Sequence, residues 1–147
     1  MATPMSVSIV SPEEELWRGE AEMVIARSPE GEFAILHGHI PFLAALVPGR
    51  VSVVSGSERE EFFVSGGFLE ASKSQGLDSK SEQGDEHDYH VIVLADAAED
   101  LHHIDVAEAR RRLEEAQRKA EDHGDDLAEA RMRIEMARVE IAESRGQ

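Results

Sequence analysis

The sequence contains no cysteine among its 147 residues. That excludes a disulfide framework, a thiolate zinc site and a thiol nucleophile, and it fits a reducing compartment. Aromatic residues are few, at 5%, although 41% hydrophobic residues overall supply a modest core. Cations are scarce as well: 15 Lys and Arg stand against 31 Asp and Glu, a net charge of −16. Phosphate backbones are bound by clustered Lys and Arg, so this balance argues against a nucleic-acid partner and disfavours direct adhesion to anionic lipid. No uncharged apolar run approaches the roughly 20 residues of a spanning helix. The start, MATPMSVSIVSPEEE, shows neither a basic nor an apolar signal segment. The expectation is a soluble or peripheral protein; a partner, if any, should be protein, and any membrane association would come through another subunit.

Motifs of catalysis are missing too. There is no G-x-S-x-G, no G-x-x-x-x-G-K-[ST] and no G-x-G-x-x-G following a strand. The carboxylates are spread along turns and helix faces, where solvation is their ordinary role, rather than paired in a recognisable cleft. Catalysis by this chain alone is not expected.

What is present is a run of short extended segments. Met5, Val7 and Ile9 alternate with Ser6, Ser8 and Val10, the period of a half-buried strand ending at Ser11-Pro12. Two further strands follow over 16–20 and 21–27, with Ser28-Pro29-Glu30-Gly31 as the next turn. The densest stretch is residues 31–49, GEFAILHGHIPFLAALVPG. Phe33, Ile35 and Leu36 form one apolar run, His37-Gly38-His39 breaks it, and Pro41 stiffens the bend. Residues 42–47 resume extended structure until Pro48-Gly49. Val51-Ser52-Val53-Val54 continues the pattern, Ser55-Gly56-Ser57-Glu58 makes a hairpin, and Gly66-Gly67 marks a sharp corner or close backbone approach. Tyr89 to Leu94 reads as the last strand. Short strands about ten residues apart predict a β-sandwich or barrel.

Residues 73–88, KSQGLDSKSEQGDEHD, hold Leu77 as their one large apolar side chain and cannot order themselves by burial. They read as a flexible loop inserted at an exposed hairpin tip, where added length costs little closure entropy.

Composition changes after that. Residues 1–104 carry 6 basic and 19 acidic side chains, net −13, whereas residues 105–147 carry 9 and 12, net −3. The tail is charge-balanced and helical in period. Val106, Ala109, Leu113, Ala116 and Ala120 step by 3 and 4, and so do Leu127, Ala130, Ile134, Ala137 and Ile141. Asp105 is an N-cap with Glu108 three residues on, His123-Gly124 ends the first helix, and Asp125-Asp126 opens the second. The predicted fold is α+β: an N-terminal antiparallel β-sandwich over 1–101, then a C-terminal antiparallel α-helical hairpin over 102–147. Its alanine seams bury little, so the hairpin should be marginal and movable.

The pattern GE-x-x-IL-x-GH-x-P-x-L-x-AL-x-PG at 31–49 resembles the epsilon subunit of bacterial F-type ATP synthases. Further matches follow in order: Val64-Ser65-Gly66-Gly67-Phe68-Leu69-Glu70, Val93-Leu94-Ala95-Asp96-Ala97-Ala98-Glu99, and Ile104-Asp105. The resemblance implies a non-catalytic central-stalk subunit at the cytoplasmic face of the cell membrane. Its sandwich would dock on the gamma subunit and the c-ring, coupling ion-driven ring rotation to ATP synthesis. Its helices could extend along gamma toward the alpha and beta subunits and obstruct hydrolysis. It implies that Glu32, His39, Ile40 and Phe42 meet the c-ring and gamma. The inserted loop departs from the family's tight hairpin.

Some members of that family bind ATP as a regulatory ligand through Ile/Leu-Asp-x-x-Arg-Ala and arginines of the second helix. The residues in question here are Glu99, Ile104, Asp105, Ala109, Arg131 and Arg138. Glu108 stands where the pattern has Arg, a charge reversal beside a polyphosphate, and Arg131, Arg133 and Arg138 include no i, i+3 or i, i+4 pair. Arg110, Arg111 and Arg112 are the nearby cations that could compensate.

Two other classes compete. A small metalloenzyme would use His37 and His39 as ligands, yet structural zinc wants four and no third ligand stands at a recognisable spacing. Stoichiometric metal in the purified protein would mark that reading. A coiled-coil adaptor would self-associate through the tail seams, whereas the hairpin reading predicts closure within one chain.

Overall fold

The computed structural model describes residues 3–73 and 88–144, with the backbone alone at His123. The loop expected at 73–88 lies outside the described residues except for its ends, Lys73 and Asp88. Ten strands come first: β1 (Met5–Val10), β2 (Glu15–Ala21), β3 (Met23–Ser28), β4 (Gly31–Leu36), β5 (Phe42–Leu46), β6 (Gly49–Ser55), β7 (Glu58–Val64), β8 (Gly67–Lys73), β9 (Tyr89–Ala95) and β10 (Ala98–Asp100). A 3₁₀ turn (Leu101–His103) leads to α1 (Val106–His123) and α2 (Asp126–Ser144).

The strands form two five-stranded sheets, ordered β2-β1-β9-β8-β5 and β10-β7-β6-β3-β4. Their inner faces share one aliphatic core, in which Met5, Ile9, Ile35 and Leu69 are fully buried. Each such side chain contributes about 1.5–3 kcal/mol. The alternation read in β1 holds, with Met5, Val7 and Ile9 inward.

Two features depart from expectation. β1 pairs with β9 in parallel, the remaining strand pairs being antiparallel. A parallel neighbour needs a long connection, and the whole of β2 to β8 supplies it. Nor is β9 the last strand: the chain crosses to the other sheet, and Ala98–Asp100 pairs with β7. Ala-Glu-Asp carries no strand signal of its own, and what recruits it is the free edge of β7.

The Gly66-Gly67 corner is a close approach. Both residues have φ +133, and a Cβ at Gly67 would lie 2.1 Å from the Leu94 carbonyl oxygen. No other residue type fits there.

In the tail, Asp105 Oδ1 accepts the Glu108 N–H at 3.1 Å, Gly124 takes a left-handed conformation at φ +50, and Asp125 Oδ1 accepts the Ala128 N–H at 2.8 Å. Those caps set the helix ends that the sequence marked. The second seam, however, is shifted. Leu127 is 80% exposed, Ala130, Ile134, Ala137 and Ile141 are half-buried, and the buried positions of α2 are Glu135, Arg138, Val139 and Ala142. A heptad reading assumes one partner, but α2 touches both α1 and the outer face of the β10-β7-β6-β3-β4 sheet. Phe63 explains the join: Phe62 and Val64 enter the sandwich core, while Phe63 points outward into a second cluster with Ile104, Ala109, Val139 and Ala142. The hairpin thus rests folded on one sheet, and among the described residues the outer face of the other sheet is bare.

Candidate functional site

Three regions collect the candidate residues. The first is the corner between β4 and β5. Gly38 has φ +89, so the bend uses a conformation that favours glycine, and His39 N–H bonds back to the Leu36 carbonyl at 3.1 Å. Because of that turn, His37 and His39 do not share a strand face; they are engaged separately. His37 Nε2 lies 2.7 Å from Asp88 Oδ1, and His39 Nδ1 lies 2.8 Å from the Ile40 carbonyl oxygen. The hydrogen bond from His37 holds the Asp88 carboxyl below its ordinary range. No group of three or more His, Asp or Glu side chains placed to hold a metal occurs among the described residues. Ile40 is 73% exposed, and Phe42 is half-buried with its ring edge-on to His39 and Phe33. Glu32 is exposed at the other end of β4, beside Arg27, Arg50 and Glu140 of α2. The four residues implied by resemblance therefore follow one line, from the sheet-edge strand β4 through the corner to the start of β5, rather than meeting at a point.

The second region is the bare outer face of the β2-β1-β9-β8-β5 sheet. Register aligns Ala45, Phe68, Leu94 and Val10 in one cross-strand row and Leu43, Glu70, Ile92 and Ser8 in the next. Leu43 is 67% exposed, Phe68 52% and Leu94 50%. Directly opposed side chains in such rows touch, so these form a contiguous apolar patch with Glu70 within it. Sequence reasoning missed it. The signal was there in β9, Tyr-His-Val-Ile-Val-Leu-Ala, where apolar residues occupy both parities although only one parity faces the core.

The third region is a cleft of about 460 Å³ between β10 and the helices, lined by Glu99, Arg112, Arg131, Glu135 and Arg138 among others. Of the nucleotide candidates it brings together Glu99, Arg131 and Arg138. Ile104 is buried under the hairpin, Asp105 caps α1, and Ala109 is buried in the second cluster. The cations are already matched. Arg138 donates from Nε to Glu99 Oε1 at 2.5 Å and from Nη2 to Oε2 at 3.2 Å, and that carboxylate raises the guanidinium above its ordinary range. Arg112 pairs with Glu108 at 2.8 Å, and Arg131 stands 4.0 Å from Glu135. Nothing in the sequence pattern had marked Glu135, which sits on the buried side of α2.

Comparison with known proteins gives the family. The family model described as the ATP synthase delta/epsilon chain beta-sandwich domain matches residues 4–75. Over 150 residues the chain is 38% identical to the ATP synthase epsilon chain of Hydrogenovibrio crunogenus, covering 100% of this chain and 88% of that one. It is 36% identical over 115 residues to the ATP synthase epsilon chain of Myxococcus xanthus, covering 78% and 74% respectively. It is also 37% identical over 117 residues to the sodium ion specific epsilon chain of Propionigenium modestum, covering 80% and 74%. Among solved structures, a chain of the Euglena gracilis mitochondrial ATP synthase OSCP/F1/c-ring assembly shares the fold at a TM-score of 0.70 and 22% identity, covering 91% of this chain and 78% of that one.

Proposed function

The chain belongs to the ATP synthase epsilon-chain family, and from that premise we propose that it is a non-catalytic rotor subunit of the central stalk. It couples ion-driven rotation of the c-ring to ATP synthesis and restrains ATP hydrolysis through its C-terminal helices. The observation that carries this reading is the division of the sandwich into a covered and a bare side. One sheet carries the helical hairpin on its outer face, and the other presents the apolar rows of Leu43, Phe68, Ile92 and Leu94. An apolar patch on a net −16 chain is a surface for a protein. We assign it to the gamma subunit, and the edge formed by Glu32, His39, Ile40 and Phe42 to the polar loops of the c-ring.

The folded hairpin is the resting arm of a two-state element. Its second cluster sets Ala109, Val139 and Ala142 around Phe63 and Ile104, a small core that is given up on extension along gamma toward the alpha and beta subunits. α1 carries Arg110, Arg111, Arg112, Arg118 and Lys119 exposed, and extension would bring this basic surface to acidic segments of the catalytic head. The cleft between β10 and the helices serves closure rather than nucleotide binding in this reading. A polyphosphate would have to displace Glu99 from Arg138 and lie against Glu108 and Glu135.

Among the described residues no helix is long and apolar enough to cross a membrane. A peripheral position at the cytoplasmic face, reached through the complex, follows from the proposed contacts. The test is copurification: solubilised membranes should yield this chain with ATP synthase subunits, and its recovery free of them would overturn the reading.

A further inference from the structure

We propose that Tyr89 and Asp88, at the start of β9, are positioning residues that preform the His37–Pro41 corner for docking. The inference rests on the reading above that this corner is a contact surface of the rotor.

Residues 37–41 belong to no strand, and backbone without ladder pairing is ordinarily the mobile part of a domain. Here it is tied from across the fold. The Tyr89 ring is buried in the sandwich core, and its hydroxyl donates to the His39 carbonyl oxygen at 2.6 Å, 50 positions away in sequence. One residue earlier, Asp88 accepts from His37 Nε2 at 2.7 Å, and the rings of His37 and Tyr89 lie 5.7 Å apart. Both ends of the Gly38 turn are therefore anchored to β9.

A bond within the corner fixes the chemistry presented. A carbonyl only accepts, so His39 Nδ1 carries the proton donated to the Ile40 oxygen, and Nε2 becomes the ring's acceptor in its neutral form. The His39 ring stands edge-on to Phe42 at 5.3 Å, and Phe42 in turn to Phe33 at 5.4 Å. The corner thus shows a partner one orientation of imidazole beside an exposed Ile40. Ordering supplied within the free protein is ordering that association need not supply, which is how a small contact gains affinity. The occupant that fits is a short polar loop with an apolar residue for Ile40 and a donor for His39, the chemistry of an exposed helix-connecting loop.

The test uses the full-length chain titrated onto ATP synthase depleted of this subunit, together with amide hydrogen exchange in the free protein. Tyr89→Phe keeps the buried ring and removes the tie. Asp88→Ala, at the surface, removes the acceptor of His37 without disturbing the core, and Ile40→Asp reports whether the corner is a contact at all. Each positioning variant is expected to bind about tenfold more weakly, with faster exchange confined to the amides of 38–40 and unchanged exchange in β8 and β9. A merely structural role would instead raise exchange throughout the sheet. If Ile40→Asp weakens binding while Tyr89→Phe and Asp88→Ala bind as the wild type does, the positioning role is overturned and the contact stands. If Ile40→Asp also binds normally, the contact itself fails and the positioning role with it.

Discussion

Arg138 on α2 forks onto both carboxylate oxygens of Glu99 on β10, joining the last helix to the last strand across 39 positions of sequence. The same region carries a cost. Arg138 Nη1 and Glu135 Oε2 are buried and, among the described residues, have no hydrogen-bond partner. The Arg110–Glu143 pair between α1 and α2 and the apolar cluster around Phe63 also hold the closed hairpin, so the Arg138–Glu99 contact is one tie among several, with two unsatisfied atoms beside it.

Two substitutions should therefore move the hairpin in opposite directions. Glu99→Ala strands the buried Arg138 guanidinium and should destabilise closure by roughly 2–3 kcal/mol, below the roughly 3–5 kcal/mol of a fully buried pair because Glu99 is partly exposed. Glu135→Met removes a buried carboxylate that is poorly matched and should favour closure by up to about 1 kcal/mol. Amide exchange along α2, with the sandwich as internal reference, measures both.

Gly67 and Gly56 should separate steric collision from backbone preference. Gly67→Ala drives a Cβ into the Leu94 carbonyl and is expected to cost more than about 3 kcal/mol or to prevent folding. Gly56→Ala meets open space at φ +60, so only the left-handed conformation is penalised, by about 1–2 kcal/mol. Denaturant midpoints of the two variants decide.

Burial pushes the Tyr89 phenol above its ordinary value of 10.0. The unfolded chain therefore releases this proton first, and above about pH 10 stability falls as pH rises, until the native phenol ionises as well. The slope attributable to one group is at most about 1.4 kcal/mol per pH unit. Tyr89 is the one tyrosine in the chain, so phenolate absorbance reports it alone. Tyr89→Phe should flatten the alkaline limb of stability; an unchanged limb would place the titration elsewhere.

Removal of the tail after Ile104 should raise ATP hydrolysis by the reconstituted complex while sparing assembly, because the proposed docking surfaces lie in the sandwich. Equal hydrolysis by truncated and full-length complexes, with the ion gradient collapsed, would make the hairpin structural rather than regulatory.

The strands, caps and glycine corners were legible because each is governed locally: alternation in β1, Asp105 and Gly124 at helix ends, Gly66-Gly67 where backbone meets backbone. β10 was not, since its pairing is decided by the free edge of β7 rather than by Ala98, Glu99 and Asp100 themselves. The α2 seam was misplaced for a related reason. Periodicity shows that a face is buried but not how many neighbours bury it, and Leu127 stayed in solvent while Glu135 and Arg138 went inside. At the corner, the resemblance grouped Glu32 with His39, Ile40 and Phe42, but Glu32 lies near the start of β4 and His39 beyond its end. The tie from Tyr89 was invisible, because nothing local links positions 39 and 89.

The central claim is that this subunit docks through the bare outer face of its sandwich, and titration of purified chains onto ATP synthase depleted of this subunit tests it most directly. Leu43→Glu and Phe68→Glu alter exposed side chains, so both should fold with wild-type unfolding midpoints. The account predicts that each weakens binding roughly 30-fold or more, the effect of losing an interface anchor. Folded variants that bind with wild-type affinity would contradict it.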